Sequence, residues 1–362
     1  MLSIVDEISK EIAGERELLT NMLYLMGGKF VLNKNPLSYH FVLNSESGAG
    51  KDFIMSRVID IFREGEDYEL YTRITPRALD YLHANNKAFT WDKKFLVLQD
   101  VSEDILNSST MKLFLSEGSK TVIVDNGVAV VKKINGRPIV LMTTAYSDPN
   151  IEQLRRVNLL NLDESNEQTK RILTFQGDHS IEDDYDTKID YDKIQEIIKK
   201  LKPVLVKIPF AQQIIDRIGY LDVHLRTFFP KILDMIKSSC AWNQTSRQMQ
   251  NGYLVADIED YENIRYLVNK FSHGNTFKPM SLARREYLDN IRESFGSQWF
   301  TINDFANITT TGYDNARKRL KYFVKENYIE FKREQNTFND KKTTQYRLLI
   351  TKKIQLPSLY EG

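Results

Sequence analysis

The chain has almost none of the residues that build cages around metals or cross-link small folds. A single cysteine, Cys240, in 362 residues excludes an internal disulfide and a Cys-rich zinc site. It falls in an apolar helical pattern, which assigns it to packing. The five histidines, at 40, 83, 179, 224 and 273, show no spacing that suits a shared metal. An excess of one charge is also lacking. Fifty Lys and Arg stand against 49 Asp and Glu, a net charge of +1, so any basic surface has to be local. Long hydrophobic runs are missing. "FLVL" and "PIVLM" are far short of the ~20 residues that span a bilayer. The opening "MLSIVDEISKEI" carries acids where a signal peptide has bases. These absences lead to the expectation of a reducing, cytoplasmic compartment and no membrane. The length suggests two or three domains at roughly 100–200 residues each.

What is present is an α/β pattern. Apolar positions from Ile4 to Leu23 recur at helical spacing, predicting a helix over 4–25. "YHFVLN" reads as a strand, "DFIMSRVIDIF" as a helix and "YELYTR" as a strand. In "TPRALDYL", Thr75 and Pro76 mark a helix start. The unbroken apolar run of "KFLVLQD" predicts a strand buried on both faces. "TVIVDNGVAVVKK" has the Asn-Gly signature of a β-hairpin. "IVLMTT" and "VNLLNL" are further strands, with a helix from Ser165 to Leu173. "GDHSIEDDYDTKIDYD" is acidic and reads as an exposed connector. Residues 191–271 read as helical with one break at "NGYLVADIEDY". After "SHGNTFKP" come a helix over 281–295, a short helix "INDFANI", a helix over 310–326 and two strands, "YIEFKRE" and "TTQYRLL".

Between the first strand and the helix after it stands "NSESGAGKDF", residues 44–53. A strand, a Gly-containing turn and a helix aim backbone N–H groups and the helix dipole at one spot, an anion site. Gly48 and Gly50 let the backbone curl, and Lys51 adds a charge for terminal phosphates. The candidate phosphate loop is therefore Ser45, Glu46, Ser47, Gly48, Ala49, Gly50, Lys51 and Asp52. Ser45 stands where the common loop has its first glycine. Asp52 stands where it has Ser or Thr, and can act as a hard oxygen ligand for Mg²⁺ or merely as a helix cap. A phosphate loop needs a second acid at the end of a neighbouring strand. "FLVLQDVSE" offers Asp100, with Glu103 as an assistant or a solvated helix-start residue. Thr143 and Thr144 end another strand and can position water or cap the strand. Arg155 and Arg156 precede a strand and suit a phosphate transition state, the alternative for one of the two being a surface salt bridge.

The order of these features (phosphate loop, "TPRALDYL", acidic strand, hairpin, polar strand end, paired arginines, "NLDESNEQTKRI", "VADIEDYENIRYLV") resembles the hairpin-bearing, MCM-like branch of AAA+ ATPases. It is most similar to the replicative helicases of plasmids, viruses and other mobile elements, over about residues 15–270. The resemblance implies ATP and Mg²⁺ as cofactors, Asp52 and Asp100 at the metal and Thr144 as first sensor. It implies Arg155 or Arg156 as a finger on the next subunit's ATP, and Arg226 as second sensor. It implies a ring, a hexamer in this family, with the 121–134 hairpin turned toward DNA. The tip, "VDNGV", has no lysine; Lys120, Lys132 and Lys133 lie at the base and return strand. The implied divisions are an N-terminal helical segment (1–36), the ATPase core (37–178), a helical lid (179–275) and a winged-helix domain (276–362).

That last unit is where basic charge collects. From Arg284 to Lys353 there are 15 Lys and Arg against 9 Asp and Glu, a local excess of six. Such cations bind phosphate, and the N-terminal half of a recognition helix reads bases. Tyr313, Asn315, Arg317, Lys318 and Lys321 are the candidate contacts, with Lys341 and Lys342 at the wing tip. The other use of such a unit is protein contact. The expected function is an ATP-driven DNA helicase of a replicon, with DNA, further copies of the chain and a primase or other replication protein as partners. The alternatives are a non-translocating AAA+ initiator or loader that marks an origin, and a transcription regulator with an ATPase module.

Overall fold

The structure is a computed structural model, and it describes residues 1–116, 120–125, 127–145, 156–181, 188–218, 225–271, 282–325, 328–335, 342–349 and 356–360. The chain opens with two helices, α1 (Leu2–Ile8) and α2 (Arg16–Met26), rather than the single helix expected over 4–25. The break is backbone geometry: Gly14 and Glu15 have φ of +67° and +56°, which no α-helix accommodates.

A five-stranded parallel sheet follows, flanked by helices. β1 (Phe41–Asn44) leads to α3 (Lys51–Ile59), β2 (Tyr68–Tyr71), α4 (Pro76–Tyr81) and β3 (Phe95–Leu98). Two short helices, α5 (Glu103–Leu106) and α6 (Ser109–Ser116), precede the hairpin of β4 (Lys120–Asp125) and β5 (Val128–Lys133). β6 (Ile139–Thr144) and β7 (Asn158–Asn161) complete the sheet, in the order β2-β3-β6-β1-β7. Thr75 caps α4 and Pro76 opens it, as expected.

The three inner strands are buried along their whole length, because both faces are covered. Alternate residues divide between two cores. Phe41, Leu43, Phe95, Val97, Ile139 and Leu141 join Ile54, Met55, Val58 and Ile59 of α3 on one face. Val42, Leu96, Leu98, Val140 and Met142 join Ile105 and Leu106 of α5, and Met111, Phe114 and Leu115 of α6, on the other. Each such side chain contributes about 1.5–3 kcal/mol on burial.

The hairpin pairs antiparallel from Lys120↔Lys133 to Asp125↔Val128 and forms its own two-stranded sheet. Val122, Val124, Val128 and Val131 on it are exposed. Its base is stitched to the loop after α4: Asn85 N–H donates to Lys133 O at 2.9 Å, and Lys133 N–H to Asn85 Oδ1 at 3.1 Å.

Beyond the sheet, α7 (Asn166–Ile181) runs eight residues past the expected end at Leu173, into the stretch read as connector. Then come α8 (Tyr191–Lys199), β8 (Leu205–Lys207), α9 (Ala211–Arg217), α10 (Leu225–Trp242), β9 (Met249–Gln250), β10 (Tyr253–Val255) and α11 (Ile258–Phe271). The strands form a sheet in the order β8-β10-β9, which corrects the helical reading of "VLVK". Cys240 is fully buried on α10 and its thiol is pushed up to about 12 by burial, in keeping with packing.

α10 carries a buried polar stripe. Asp234 accepts hydrogen bonds from Asn35 N–H (2.9 Å), Ser38 Oγ (2.6 Å) and Lys237 Nζ (2.8 Å). Ser238 donates to Tyr24 O, and Trp242 Nε1 to Leu23 O at 2.6 Å. The residues recur at i, i+4 and i+8, so one helix face is pinned to the end of α2 and to the segment between α2 and β1. N-terminal helices, one sheet face and the 188–271 region share one apolar core.

The remaining unit has a core of its own. α12 (Leu282–Phe295), β11 (Phe300–Thr301), α13 (Ile302–Ile308), α14 (Tyr313–Lys325), β12 (Ile329–Gln335) and β13 (Lys342–Leu348) give three helices and a sheet in the order β11-β13-β12. Residues 356–360 return to α11. Asn269 exchanges two hydrogen bonds with the Leu356 backbone (2.8 and 3.1 Å), Tyr261 donates to Pro357 O, and Glu262 accepts from Leu359 N–H at 2.7 Å. Leu356 and Leu359 are buried in the main core.

Candidate functional site

β1 delivers the chain to the carboxyl edge of the sheet, the edge at which open α/β sheets bind ligands. The loop that follows turns at Gly48 and Gly50, with φ of +88° and +94°. A Cβ at either would meet nothing within 4 Å, so conformation rather than space requires glycine there. Gly50 is the N-cap of α3 and offers no side-chain cap, leaving the first-turn N–H groups to a ligand. Lys51 opens the helix. It is 4% exposed, and among the described residues its side chain has no hydrogen bond or ion pair. A nearly buried, unpaired ammonium is costly unless an anion joins it.

Asp52 does not cap the helix. Its carboxylate accepts a hydrogen bond from Thr143 Oγ1. The same Thr143 oxygen accepts from Asp100 N–H at 2.8 Å. One hydroxyl at the end of β6 thus joins the residue after Lys51 to the exposed Asp100 beyond β3. Asp100 has φ of +47°, a conformation that is uncommon outside glycine and is held here by Thr143, with Val101 N–H donating to Thr143 O at 2.8 Å. Thr144, expected as first sensor, is fully buried and donates to Val101 O at 2.8 Å. Thr143, not Thr144, stands between the two acids. The alternation of β6 explains this. Residues 139, 141 and 143 face α3, as Ile139 and Leu141 show.

A cavity of about 640 Å³ adjoins the loop. Glu46 to Gly50 form one wall, Phe53 and Ile54 of α3 another, and Ile172, Leu173 and Phe175 of α7 the side opposite. Carboxylates clip its rim together: Glu164 accepts from Glu46 N–H at 2.7 Å, and Glu15 from Asp163 N–H at 2.8 Å. Burial raises the Glu15 carboxyl to about 7. Ser45 is buried beneath the loop, its N–H 3.4 Å from Thr144 O. The cavity meets the candidate phosphate loop through Glu46 to Gly50, at the uncapped start of α3, while Lys51, Asp52, Thr143 and Asp100 do not line it. Among the described residues its lining holds Glu11, Glu15, Glu46, Asp163 and Glu164, with no Lys or Arg.

Among the described residues, no three His, Cys, Asp or Glu side chains gather as a metal site. Asp52, Asp100 and the Thr143 hydroxyl are hard oxygen donors on adjoining elements. That set suits Mg²⁺, which takes one or two carboxylates and completes its shell with phosphate oxygens and water.

Other expected residues lie apart. Arg156 is half-buried in the turn before β7 and Arg226 is exposed at the start of α10; neither lines the cavity. Arg155 and Lys341 lie outside the described residues, as do the side chains of Lys120 and Lys342. Lys132 stands 4.6 Å from the Tyr81 ring centroid, and Lys133 is exposed. Tyr313, Asn315, Arg317, Lys318 and Lys321 are all exposed on α14. No helix among the described residues is long and apolar enough to cross a membrane. In comparisons with known proteins, no family model matches this chain and no curated protein matches it.

Proposed function

We propose that the chain is an ATPase of the AAA+ type that works as a ring translocase, a DNA helicase of a mobile replicon. The observation that carries this reading is Lys51, buried and unpartnered at the uncapped start of α3, beside the Asp52–Thr143–Asp100 chain and the cavity. The strand order adds support. With the hairpin set aside, acidic β3 is separated from β1 by β6, and β7 closes the far edge. A parallel sheet with a hairpin outside it is what the resemblance implies.

On this reading, ATP lays its base between α7 and the loop and its phosphates on the α3 N-terminus and Lys51. Mg²⁺, when bound, offsets phosphate charge. Asp52 and Asp100 are the residues that would hold it. Asp100, kept in its turn by Thr143, orients the attacking water and accepts its proton. Arg155 or Arg156 reaches the ATP of the next subunit, and Arg226 acts from α10. The 282–348 unit serves as a winged helix, with α14 as the helix presented to duplex DNA. The second reading, an origin-marking initiator or loader, is favoured by one observation. The hairpin exposes four valines and has no lysine at its tip.

Electron microscopy with forked DNA and an ATP analogue tests the pair. A ring threaded by one strand is expected for the helicase, and a duplex bound outside the oligomer for the initiator. Lys51→Ala removes ATP binding and turnover on either reading. Full turnover by that variant would overturn both.

A further inference from the structure

The cavity of about 640 Å³ beside the phosphate loop is walled by carboxylates and apolar side chains and, among the described residues, by no cation. Phosphates are met at the loop, not in the cavity itself. What the cavity can meet is a ring edge with polar N–H groups, with apolar side chains such as Ile12, Leu162 and Ile172 against the ring faces. Four of its five acids are engaged or solvated. Glu11 accepts from Ile189 N–H at 3.1 Å and pairs with Arg57 at 2.7 Å. Glu164 holds Glu46 N–H, Asp163 accepts from Ser165 N–H at 3.0 Å, and both are exposed, as is Glu46. Glu15 differs. It is half-buried, one oxygen accepts from Asp163 N–H at 2.8 Å, and among the described residues the other oxygen has no partner.

The turn that carries Glu15 is built with care. Glu15 has φ of +56°, directly after Gly14 at +67°. That region is uncommon for a long side chain, and glycine or asparagine would make the turn at less cost. The turn is wedged against α7. A Cβ at Gly14 would run into the Gln168 side chain, and the buried Gln168 donates to Ala13 O at 2.8 Å. Adjacent residues then hold both ends of the site: Asp163 N–H binds Glu15, and Glu164 binds Glu46 of the loop. The Glu15 carboxyl is thereby kept at a fixed remove from the phosphate loop.

We propose that Glu15 reads the base of the nucleotide, pairing its carboxyl group with the base edge and so setting which purine the cavity accepts. This rests on the reading of the cavity as a nucleotide site. The oxygen that accepts from Asp163 N–H stays unprotonated, so a proton goes to the other one. The neutral acid then offers an acceptor beside a donor. That matches adenine, whose amino group donates and whose N1 accepts. The ionised group offers two acceptors and matches guanine, whose N1–H and amino group both donate. A mismatch leaves a buried donor or acceptor unpaired, which is what makes such sites selective.

Glu15 titrates where this choice can be read. Burial raises it to about 7; Asp163 and Glu17 push the same way by charge, and the Asp163 N–H opposes them. Glu17 itself accepts from Tyr266 of α11 at 3.3 Å. Glu11 is held by Arg57 of α3, Arg16 pairs with Asp6 of α1 at 2.5 Å, and Glu46 and Glu164 stand at the loop. Gln168, Thr169 and Gln176 of α7 do not titrate. Because the neutral acid is the adenine-binding form, ATP affinity falls and GTP affinity rises as pH passes 7.

Calorimetry on the full chain tests this. ATP and GTP are titrated into wild type and Glu15→Gln at pH 6 and pH 8, in buffers of different ionisation enthalpy. Titration of the terminal phosphate is common to both nucleotides and cancels in their ratio. In wild type the ratio of ATP to GTP affinity should fall by on the order of tenfold or more from pH 6 to pH 8. At pH 8, ATP binding should take up about one proton more than GTP binding. Glutamine keeps an acceptor for Asp163 N–H and fixes the donor beside it, so Glu15→Gln should favour ATP at both pH values without the proton difference. A Glu15 that only shapes the turn would leave base choice unmoved. A wild-type ratio constant from pH 6 to pH 8, or the same ratios in Glu15→Gln as in wild type, overturns the base reading while nucleotide binding stands. Wild type that binds neither nucleotide overturns the nucleotide reading and the base reading with it.

Discussion

Lys231 on α10 is 6% exposed, and its Nζ donates to Val157 O at 3.0 Å. Its replacement, Lys231→Met, has a thermodynamic consequence whose sign can be worked out. Burial moves the lysine from its ordinary 10.5 to about 7. Because the folded value lies below the unfolded one, the unfolded chain binds the extra proton between pH 7 and 10.5. Wild-type stability from this group therefore rises with pH across that window, and below pH 7 the whole cost is present. At about 1.36 kcal/mol per pH unit, a fall of about 3.5 units costs about 5 kcal/mol. Methionine removes that cost but loses the bond to Val157 O and leaves a buried carbonyl unpaired, together about 2–3 kcal/mol. The net expectation at pH 6 is a variant more stable than wild type by about 2–3 kcal/mol. At pH 9 about two units of the cost are already relieved, and the two proteins should be about equal. Urea unfolding followed by tryptophan fluorescence reads this, since Trp242 lies on the same helix. Titrations common to both proteins cancel in the difference. A difference that stays constant from pH 6 to 9 would refute the reasoning, because only Lys231 distinguishes the two chains.

Asp52→Thr removes a carboxylate beside the phosphate end of the cavity; ATP affinity should rise by on the order of 1 kcal/mol without Mg²⁺ and by less with it, read by titration under both conditions. Glu15, raised to about 7 by burial, binds its proton more tightly in the folded chain, so its burial costs nothing below pH 4.5 and the full amount above pH 7. Wild type should accordingly bind ATP several-fold more weakly at pH 8 than at pH 6, where Glu15 is protonated, and Glu15→Gln should flatten that profile. In the 282–348 unit, replacing Arg317, Lys318 and Lys321 together by Ala should lower the slope of log affinity against log salt for duplex DNA by up to about 0.9 per lost contact. An unchanged slope would assign the unit to protein contact.

β1, β3 and β6 were legible because burial on both faces leaves unbroken apolar runs, and Thr75-Pro76 and Asn-Gly are local devices that any chain reader can see. The loop was legible for the same reason: its chemistry is contiguous. The rim of the cavity was not. Glu15, Asp163 and Glu164 come from segments about 150 residues apart, and nothing in their local sequence distinguishes them from solvated acids. The pair Thr143 and Thr144 was separable only by the parity of β6, which a strand without a known partner does not reveal. α7 was cut short because residues after Leu173 are polar on nearly every side, so no apolar period marks them. β8 and β10 are three residues each, too short to compete with the helical patterns on either side.

The return of residues 356–360 to α11 changes how far the 282–349 unit can travel. A unit hung on one linker explores a sphere; this one is hung on two, with both attachments on the same helix, Phe271 at its end and Asn269 holding Leu356. The shorter connection, residues 350–355, reaches at most about 25 Å at full extension. With both attachments on one helix, chain length alone limits how far the unit can lie from α11. On the proposed reading, this double attachment keeps the unit at a high local concentration near DNA held by the rest of the chain. Cutting the chain within 350–355 would remove one of the two attachments and, on that reading, lower the local concentration without altering any candidate contact residue.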